Sequence, residues 1–342
     1  MRLAAAFAMA SLAAGGAPAR AETAQGLQPY QMVRSLQLVQ DRVAVGDHAA
    51  LPIQRKLLEM IDARLRTASA ADLMQPRNLR SMMIYAMSGG NPETLRMLAH
   101  RMHVEEHDGR IIAGVLSYLN GAMKTAALTL RDIEPLKEPI ETGAFLALIK
   151  GSVISSEDPA SAVKLLDQAR LLAPGTLIEE AALRRPVSLA VTLHDGARFL
   201  RASDQYVRIY LRSPYASQFA DAFVAGVVAL RDTIDLAEVD AIVAMMTPEQ
   251  RKVIYLRIAR RSAIDGLTAL STYAAERADQ AGGREAAERD PRVLLYTSLT
   301  NVATAPLEDV RDRIDRIDRT RLSSSDRKLL DAVLAVSGEI VR

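Results

Sequence analysis

The sequence predicts an all-α protein of stacked helical hairpins, arranged as a tetratricopeptide-like α-solenoid. Three observations point there. Aromatic residues make up 4% of the chain and Trp is absent, while Ala and Leu dominate and no sustained alternation of apolar and polar residues occurs. That composition favours helices over a sandwich or barrel. The stretch from Glu157 to Arg185 is a complete helical hairpin with its own punctuation, and the same punctuation recurs elsewhere. Repetition of one helix-pair unit is what a solenoid requires.

In the Glu157–Arg185 hairpin, Asp158 supplies an N-cap acceptor and Pro159 occupies the first helical position, where no N–H is needed. Ala162, Leu165, Leu166, Ala169 and Leu172 then recur at helical spacing, opposite Lys164, Asp167 and Arg170. Pro174-Gly175 ends the helix, and Thr176 with Glu179 has the form of a capping box opening the next. So short a link makes the two helices antiparallel neighbours. Asn91-Pro92-Glu93 opens a helix in the same way, at a distance that accommodates two units of about 34 residues. Asn120-Gly121-Ala122 lies between them as a turn. Helix-ending prolines at Pro135, Pro174 and Pro214 recur at intervals of about forty residues, which suits stacked helix pairs.

At the N-terminus, Met1-Arg2 followed by the small and apolar run from Leu3 to Ala14 reads as the start of a secretory signal peptide. Ala17-Pro18-Ala19 and Ala19-Arg20-Ala21 offer cleavage sites, so residues 1–21 are expected to be removed on export. The run is too short to span a bilayer, which takes about 20 residues. The whole chain carries a formal net charge of +2, and cleavage after Ala21 would remove Arg2 and Arg20. A neutral mature chain makes nucleic acid a poor partner. The longest later apolar run, Ala222 to Leu230, is also too short to cross a membrane, and the absence of Cys excludes disulfides, thiol nucleophiles and thiolate metal sites.

The first mature segment, Leu27 to Asp62, carries two stripes. Val33, Leu36, Val39 and Val43 form the first, Gly46-Asp47 the break, and Ile53, Leu57, Ile61 and Leu65 the second. Pro76 opens a helix through Met82 and Met83, and Gly89-Gly90 turns the chain into the Asn91 cap. Three passages here and further on, PYQMVRSLQLVQDRVAVGDHAA from Pro29, MIYAMSGGNPETLRML from Met83 and YVRIYLRSPYASQFADAF from Tyr206, resemble the MotC family of periplasmic flagellar-motor proteins from rhizobial-type bacteria. The resemblance runs from about Gln28 to the C-terminus. It implies a periplasmic protein needed for flagellar rotation, which acts by binding the periplasmic part of the stator protein MotB. It also implies that members can carry a further C-terminal extension.

Chemistry-bearing motifs are few. His103 to His107 matches H-x-x-E-H, in which a helix would place both histidines on one face for zinc, with Glu106 as general base and Glu134 or Glu138 as a third ligand. The segment lies only a dozen residues past a Pro-capped helix start and runs into Asp108-Gly109, where histidines are common for helix-dipole and solvation reasons. No catalytic zinc and no cofactor are expected, and a zinc-dependent periplasmic hydrolase is the alternative from another class. His194-Asp195-Gly196 reads as a turn between helices because no G-x-S-x-G elbow accompanies it. Gly89-Gly90-Asn91 is likewise a turn, lacking Walker spacing and its Lys.

Aromatics concentrate at Tyr206, Tyr210, Tyr215, Phe219 and Phe223. Phe219, Phe223 and Val227 share a core face. Tyr206 and Tyr210, interleaved with Arg208 and Arg212, suggest an exposed interaction face, so partner contact is assigned to Arg201, Tyr206, Tyr210 and Arg212. The competing reading packs the tyrosines between repeats with their hydroxyls at the rim.

In the last third, Thr247-Pro248-Glu249-Gln250 is a capping box opening a helix through Val253, Ile254 and Ile258, followed by a helix with Ile264, Leu267 and Leu270. Residues 281–291 form a flexible joint. Val293 to Leu299 are one apolar helix, and Pro306 opens another in which Asp312 with Arg316 and Asp315 with Arg319 pair at i, i+4. Ser325-Asp326 caps the last helix, with Leu329, Leu330, Val333 and Ile340 inward. The expected organisation is a signal peptide over 1–21, a helical-repeat array over 22–231 and a C-terminal helical region over 232–342. The expected function is a non-enzymatic binding protein of the flagellar motor. A general helical-repeat envelope adaptor with no motor role is the third reading.

Overall fold

A computed structural model describes residues 26–282, 290–301 and 312–339. The described residues form helices and no strand. Helices α1 (Pro29–Ala44), α2 (Ala50–Thr67), α3 (Ala70–Leu73), α4 (Pro76–Met87), α5 (Pro92–Arg101), α6 (Glu106–Leu119) and α7 (Met123–Thr129) make up the first part. They are followed by α8 (Ile140–Ile154), α9 (Pro159–Leu172), α10 (Leu177–Thr192), α11 (Gly196–Tyr210) and α12 (Ala216–Ala229). The last are α13 (Leu236–Ala244), α14 (Pro248–Ile264), α15 (Thr268–Ala281), α16 (Pro291–Asn301) and α17 (Ser324–Glu339). None of the described helices is long and apolar enough to cross a membrane. The signal peptide and most of the 281–291 joint lie outside the described residues, as do Ile340 and the start of the helix expected from Pro306.

Local punctuation sets the helix starts. Asp158 Oδ1 accepts from the N–H of Ser161 at 3.0 Å, and Asn91 Oδ1 from that of Glu93 at 3.0 Å. Thr247 and Gln250 make a reciprocal capping box of 3.3 and 3.0 Å. Each satisfies N–H groups that a helix start leaves without partners. The α9–α10 box is shifted by one residue. Thr176 Oγ1 accepts from Ile178 and Glu179, but Glu179 Oε2 reaches the N–H of Gly175 at 2.6 Å instead of that of Thr176. Gly175 itself adopts φ +76°, which lets the chain reverse within the link.

The apolar interior falls into two clusters that meet at α10. One gathers Leu36, Ile61, Leu65, Met82, Leu95, Ile111 and Leu146 and takes Ile178 and Ala182 from α10. The other takes Leu183, Val187 and Ala190 from the same helix and continues through Phe199, Tyr206, Phe219 and Phe223 to Leu330 and Val333. It includes residues on both sides of residue 232, from Leu183 to Val333. Sequence neighbours pack on one another through α8, α9, α10 and α11, and α8, α10, α12, α14 and α16 also touch in succession.

Several expectations need adjustment. Ile53, assigned to the inner stripe of α2, is 48% exposed because the stripe becomes buried only at Ile61 and Leu65. Pro135 ends no helix: α7 stops at Thr129, and Pro135 opens a short 3-10 turn over Pro135–Lys137. Ile264 closes α14 instead of opening the next helix, because Gly266 at φ +72° makes the break there. Arg319 pairs with Asp331 of α17 at 2.6 Å, not with Asp315. The cap of α17 begins at Ser323, whose Oγ accepts from the N–H of Asp326 at 3.1 Å.

Candidate functional site

Helices α1, α4, α8 and α10 form a closed ring of contacts, α1 on α4, α4 on α8, α8 on α10 and α10 on α1. Inside it lies an open groove of about 1020 Å³. Helical spacing decides what lines it. Tyr30, Arg34, Gln37, Leu38 and Asp41 recur along one face of α1, and Arg77, Arg80, Ser81, Ile84 and Met87 along one face of α4. Ile140, Glu141, Ala144, Phe145 and Leu148 do the same on α8, and Leu177, Glu180, Ala181, Arg184 and Arg185 on α10. Buried polar bonds hold two walls in register. Gln40 Nε2 donates to the Ser88 carbonyl at 2.9 Å, and Asn78 Oδ1 accepts from the N–H of Tyr30 at 3.2 Å.

The groove is rich in guanidinium groups. Arg184 pairs with the buried Glu180 at 3.0 Å, and the Tyr206 hydroxyl donates to the same carboxylate at 2.8 Å. Arg34 and Arg80 have no described hydrogen bond or ion pair, Arg77 lies over the Tyr30 ring at 5.6 Å, and Arg185 donates to Ser152 Oγ. None of these four has an acidic partner among the described residues. Asp41 and Glu141 are the remaining carboxylates of the wall. Burial pushes Asp41 up to about 6, and no described hydrogen bond offsets that desolvation. Ser88 and Gln54 also line the groove, with Ser88 Oγ and Gln54 Oε1 buried and without hydrogen-bond partners among the described residues. A second cavity of about 450 Å³, between α8, α10 and α12, shares Tyr118, Arg184 and Arg185 with the first.

The residues assigned to partner contact separate. Tyr206 and Tyr210 are fully buried, which corrects the expected exposed face. Tyr206 stacks on Phe219 at 4.1 Å, and Tyr210 Oη donates to Glu179 Oε2 at 2.7 Å. Burial first, and then the Glu180 and Glu179 carboxylates, push both phenols far above their ordinary value. Their interleaving with arginines has a simple origin, since residues two apart on a helix fall on nearly opposite faces. Arg208 points to solvent and pairs with Asp204 at 2.8 Å. Arg201 and Arg212 are exposed. Phe219, Phe223 and Val227 are core, as their spacing predicts.

The H-x-x-E-H element is divided between two elements. α5 ends at Arg101, His103 lies in the link, and His107 stands in the first turn of α6. Glu138 does reach His107, at 2.8 Å from Nε2. Among the described residues no group of three or more His, Cys, Asp or Glu side chains could hold a metal. His194-Asp195-Gly196 is a turn, with His194 at φ +52° and Asp195 Oδ1 capping α11 through the N–H of Arg198 at 2.9 Å. Sequence reasoning missed the groove residues Arg34, Asp41, Arg80 and Arg185. Their only trace in the sequence is an arginine or carboxylate at helical spacing from an apolar stripe, which is also how a solvated face reads.

Fold and groove together define a protein whose described residues are helical and enclose an open, arginine-lined cleft. The family described as Chemotaxis protein MotC matches residues 1–342. Chemotaxis protein MotC of Rhizobium meliloti (strain 1021) is 41% identical over 324 residues, which cover 95% of this chain and 75% of that protein. The chain belongs to the MotC family. No solved structure matches it.

Proposed function

We propose that this chain serves flagellar motility as a non-enzymatic periplasmic protein, and that it works by binding the periplasmic part of the stator protein MotB. Membership of a family named for a chemotaxis protein supports the motility role. The observation that carries the binding reading is the groove between α1, α4, α8 and α10, lined by four arginines that have no acidic partner among the described residues. Uncompensated charge beside exposed apolar side chains is what a docking surface presents.

The contact pattern supports a tetratricopeptide-like stacking. Each of α8 to α11 packs on its neighbour, and the even-numbered helices α8 to α16 touch in a row. Such an array presents a rigid surface, which can bias a partner's conformation by binding one form more tightly than another. The composition of residues 1–21 supports export. Arg201 and Arg212, both exposed, remain candidates for partner contact.

The test is a pull-down of the purified periplasmic part of MotB by the chain from Glu22 onward, together with swimming of a deletion strain. Specific capture and a paralysed but flagellated strain are the expected results. Capture without a motility defect would favour a general envelope adaptor. Absence of capture with stoichiometric zinc in untagged protein would turn attention to Glu106.

A further inference from the structure

We infer that the α1/α4/α8/α10 groove takes an acidic, leucine-bearing segment of a protein partner, with Arg34 and Arg80 receiving its carboxylates and Leu38 and Ile140 its apolar side chains. The inference rests on reading the groove as a docking site, and adds the chemistry of what docks.

Charge sets the sign of the occupant. With Glu180 neutralised by Arg184, the wall keeps Arg34, Arg77, Arg80 and Arg185 against Asp41 and Glu141. A guanidinium presents a rigid fork of donors that matches a carboxylate, and Arg34 and Arg80 have their donors unused among the described residues. Ser88 Oγ and Gln54 Oε1 are further polar atoms that the fold buries at the wall and leaves unsatisfied. Asp41 fits the same picture, since a half-buried carboxylate raised to about 6 repels an anion least when it is protonated.

Shape sets the class. The rim exposes Leu38 at 60%, Ile140 at 64% and Tyr215 at 39%, so apolar contact is offered beside the charge. The volume of about 1020 Å³ sits at the upper limit of small-molecule sites, which run from roughly 300 to 1,000 Å³. Arg184 and Arg185 also line the second cavity. An open cleft of this volume, with apolar side chains exposed at its rim, suits a length of chain better than a compact ligand.

The probe is a short fluorescein-labelled peptide of repeating Glu-Glu-Leu, with a Lys-Lys-Leu peptide as its counterpart, read by anisotropy against the full chain at low salt. Four proteins are compared: wild type, Arg34→Glu/Arg80→Glu, Leu38→Asp, and Arg131→Glu, the last an exposed arginine outside the groove. Circular dichroism verifies folding, and Arg34→Gln/Arg80→Gln replaces the charge reversal if that variant does not fold.

The expected result is saturable binding of the acidic peptide alone. It should weaken about tenfold per arginine lost, weaken with Leu38→Asp and added salt, and persist in Arg131→Glu. Equal binding of the Lys-Lys-Leu peptide, or acidic-peptide binding that survives Arg34→Glu/Arg80→Glu, overturns the inference. So does a wild-type dimer that the same substitutions dissolve, since the occupant would then be a second copy. Addition of the MotB periplasmic part separates this inference from the broader reading. If it binds wild type and the charge-reversed variant alike, the acidic groove fails while the MotB reading stands. If the acidic peptide binds as described but MotB neither binds nor competes, the groove chemistry stands and the MotB reading fails.

Discussion

Asp41 is held on the groove face of α1 by the burial of Leu36 and Val43 across the helix, so the helix cannot turn the carboxylate into water. Its folded value near 6 lies above the ordinary carboxylate value of about 3.9, so the folded chain holds that proton more tightly than the unfolded one. The resulting penalty is absent below about pH 4, grows between there and pH 6, and is complete above. With discount for partial exposure it amounts to about 1 kcal/mol. Asp41→Asn should therefore raise the melting temperature at pH 7.5, and the gain should vanish as the pH falls towards 4. Thermal melts across that range check it, and a gain that persists at pH 4 contradicts it. Glu180 presents the opposite case, a fully buried carboxylate satisfied by Arg184 and Tyr206. Arg184→Met leaves that charge uncompensated and should cost about 3 kcal/mol, whereas Tyr206→Phe removes one hydrogen bond and should cost about 1 to 2 kcal/mol. Glu180→Met combined with Arg184→Met should recover most of the loss in urea unfolding, because the pair then disappears together.

At the scale of elements, the α1–α2 turn is clamped to the link between α11 and α12. Gly46 adopts φ +101°, and a Cβ there would overlap the Cβ and carbonyl of Arg212. Gly46→Ala should thus cost about 2 kcal/mol or more, since backbone strain adds to the overlap. A urea midpoint unchanged from wild type would show that the link yields instead. Elements of this kind divide sharply by what the sequence discloses. Asp158-Pro159, Asn91-Pro92 and Thr247-Gln250 were legible because a cap and the N–H it satisfies lie within three residues of one another. The stripes of α1 and α9 were legible for the same local reason. The groove was not, because its walls come from helices that begin at Pro29, Pro76, Ile140 and Leu177, and no local rule says that these will meet. Tyr206 and Tyr210 misled where they need not have. An arginine two positions from a tyrosine stands across the helix from it, so an exposed Arg208 already implied buried tyrosines.

Across the described molecule, α10 is the main link between the two apolar clusters, joined by α1, which gives Leu36 to one and Ala44 to the other. Helix α10 gives Ile178 and Ala182 to one apolar cluster and Leu183, Val187 and Ala190 to the other, so neither cluster can open fully without exposing part of α10. It carries Pro186 in its interior, which withdraws one N–H from the helical ladder, so packing on both sides has to hold it. It also forms one wall of the groove and touches α1. Leu65→Ala, deep in the first cluster, should cost about 3 kcal/mol. If α10 couples the clusters, slowly exchanging amides of α14 should lose protection by the same amount, although α14 lies entirely in the second cluster. Native-state hydrogen exchange on the variant reads this directly, and α14 amides that keep their wild-type protection would show two independently unfolding units. The same coupling makes the groove a lever on the whole chain: an occupant at about a hundred times its Kd adds ~2.7 kcal/mol, and α14 should report that gain as faithfully as α1.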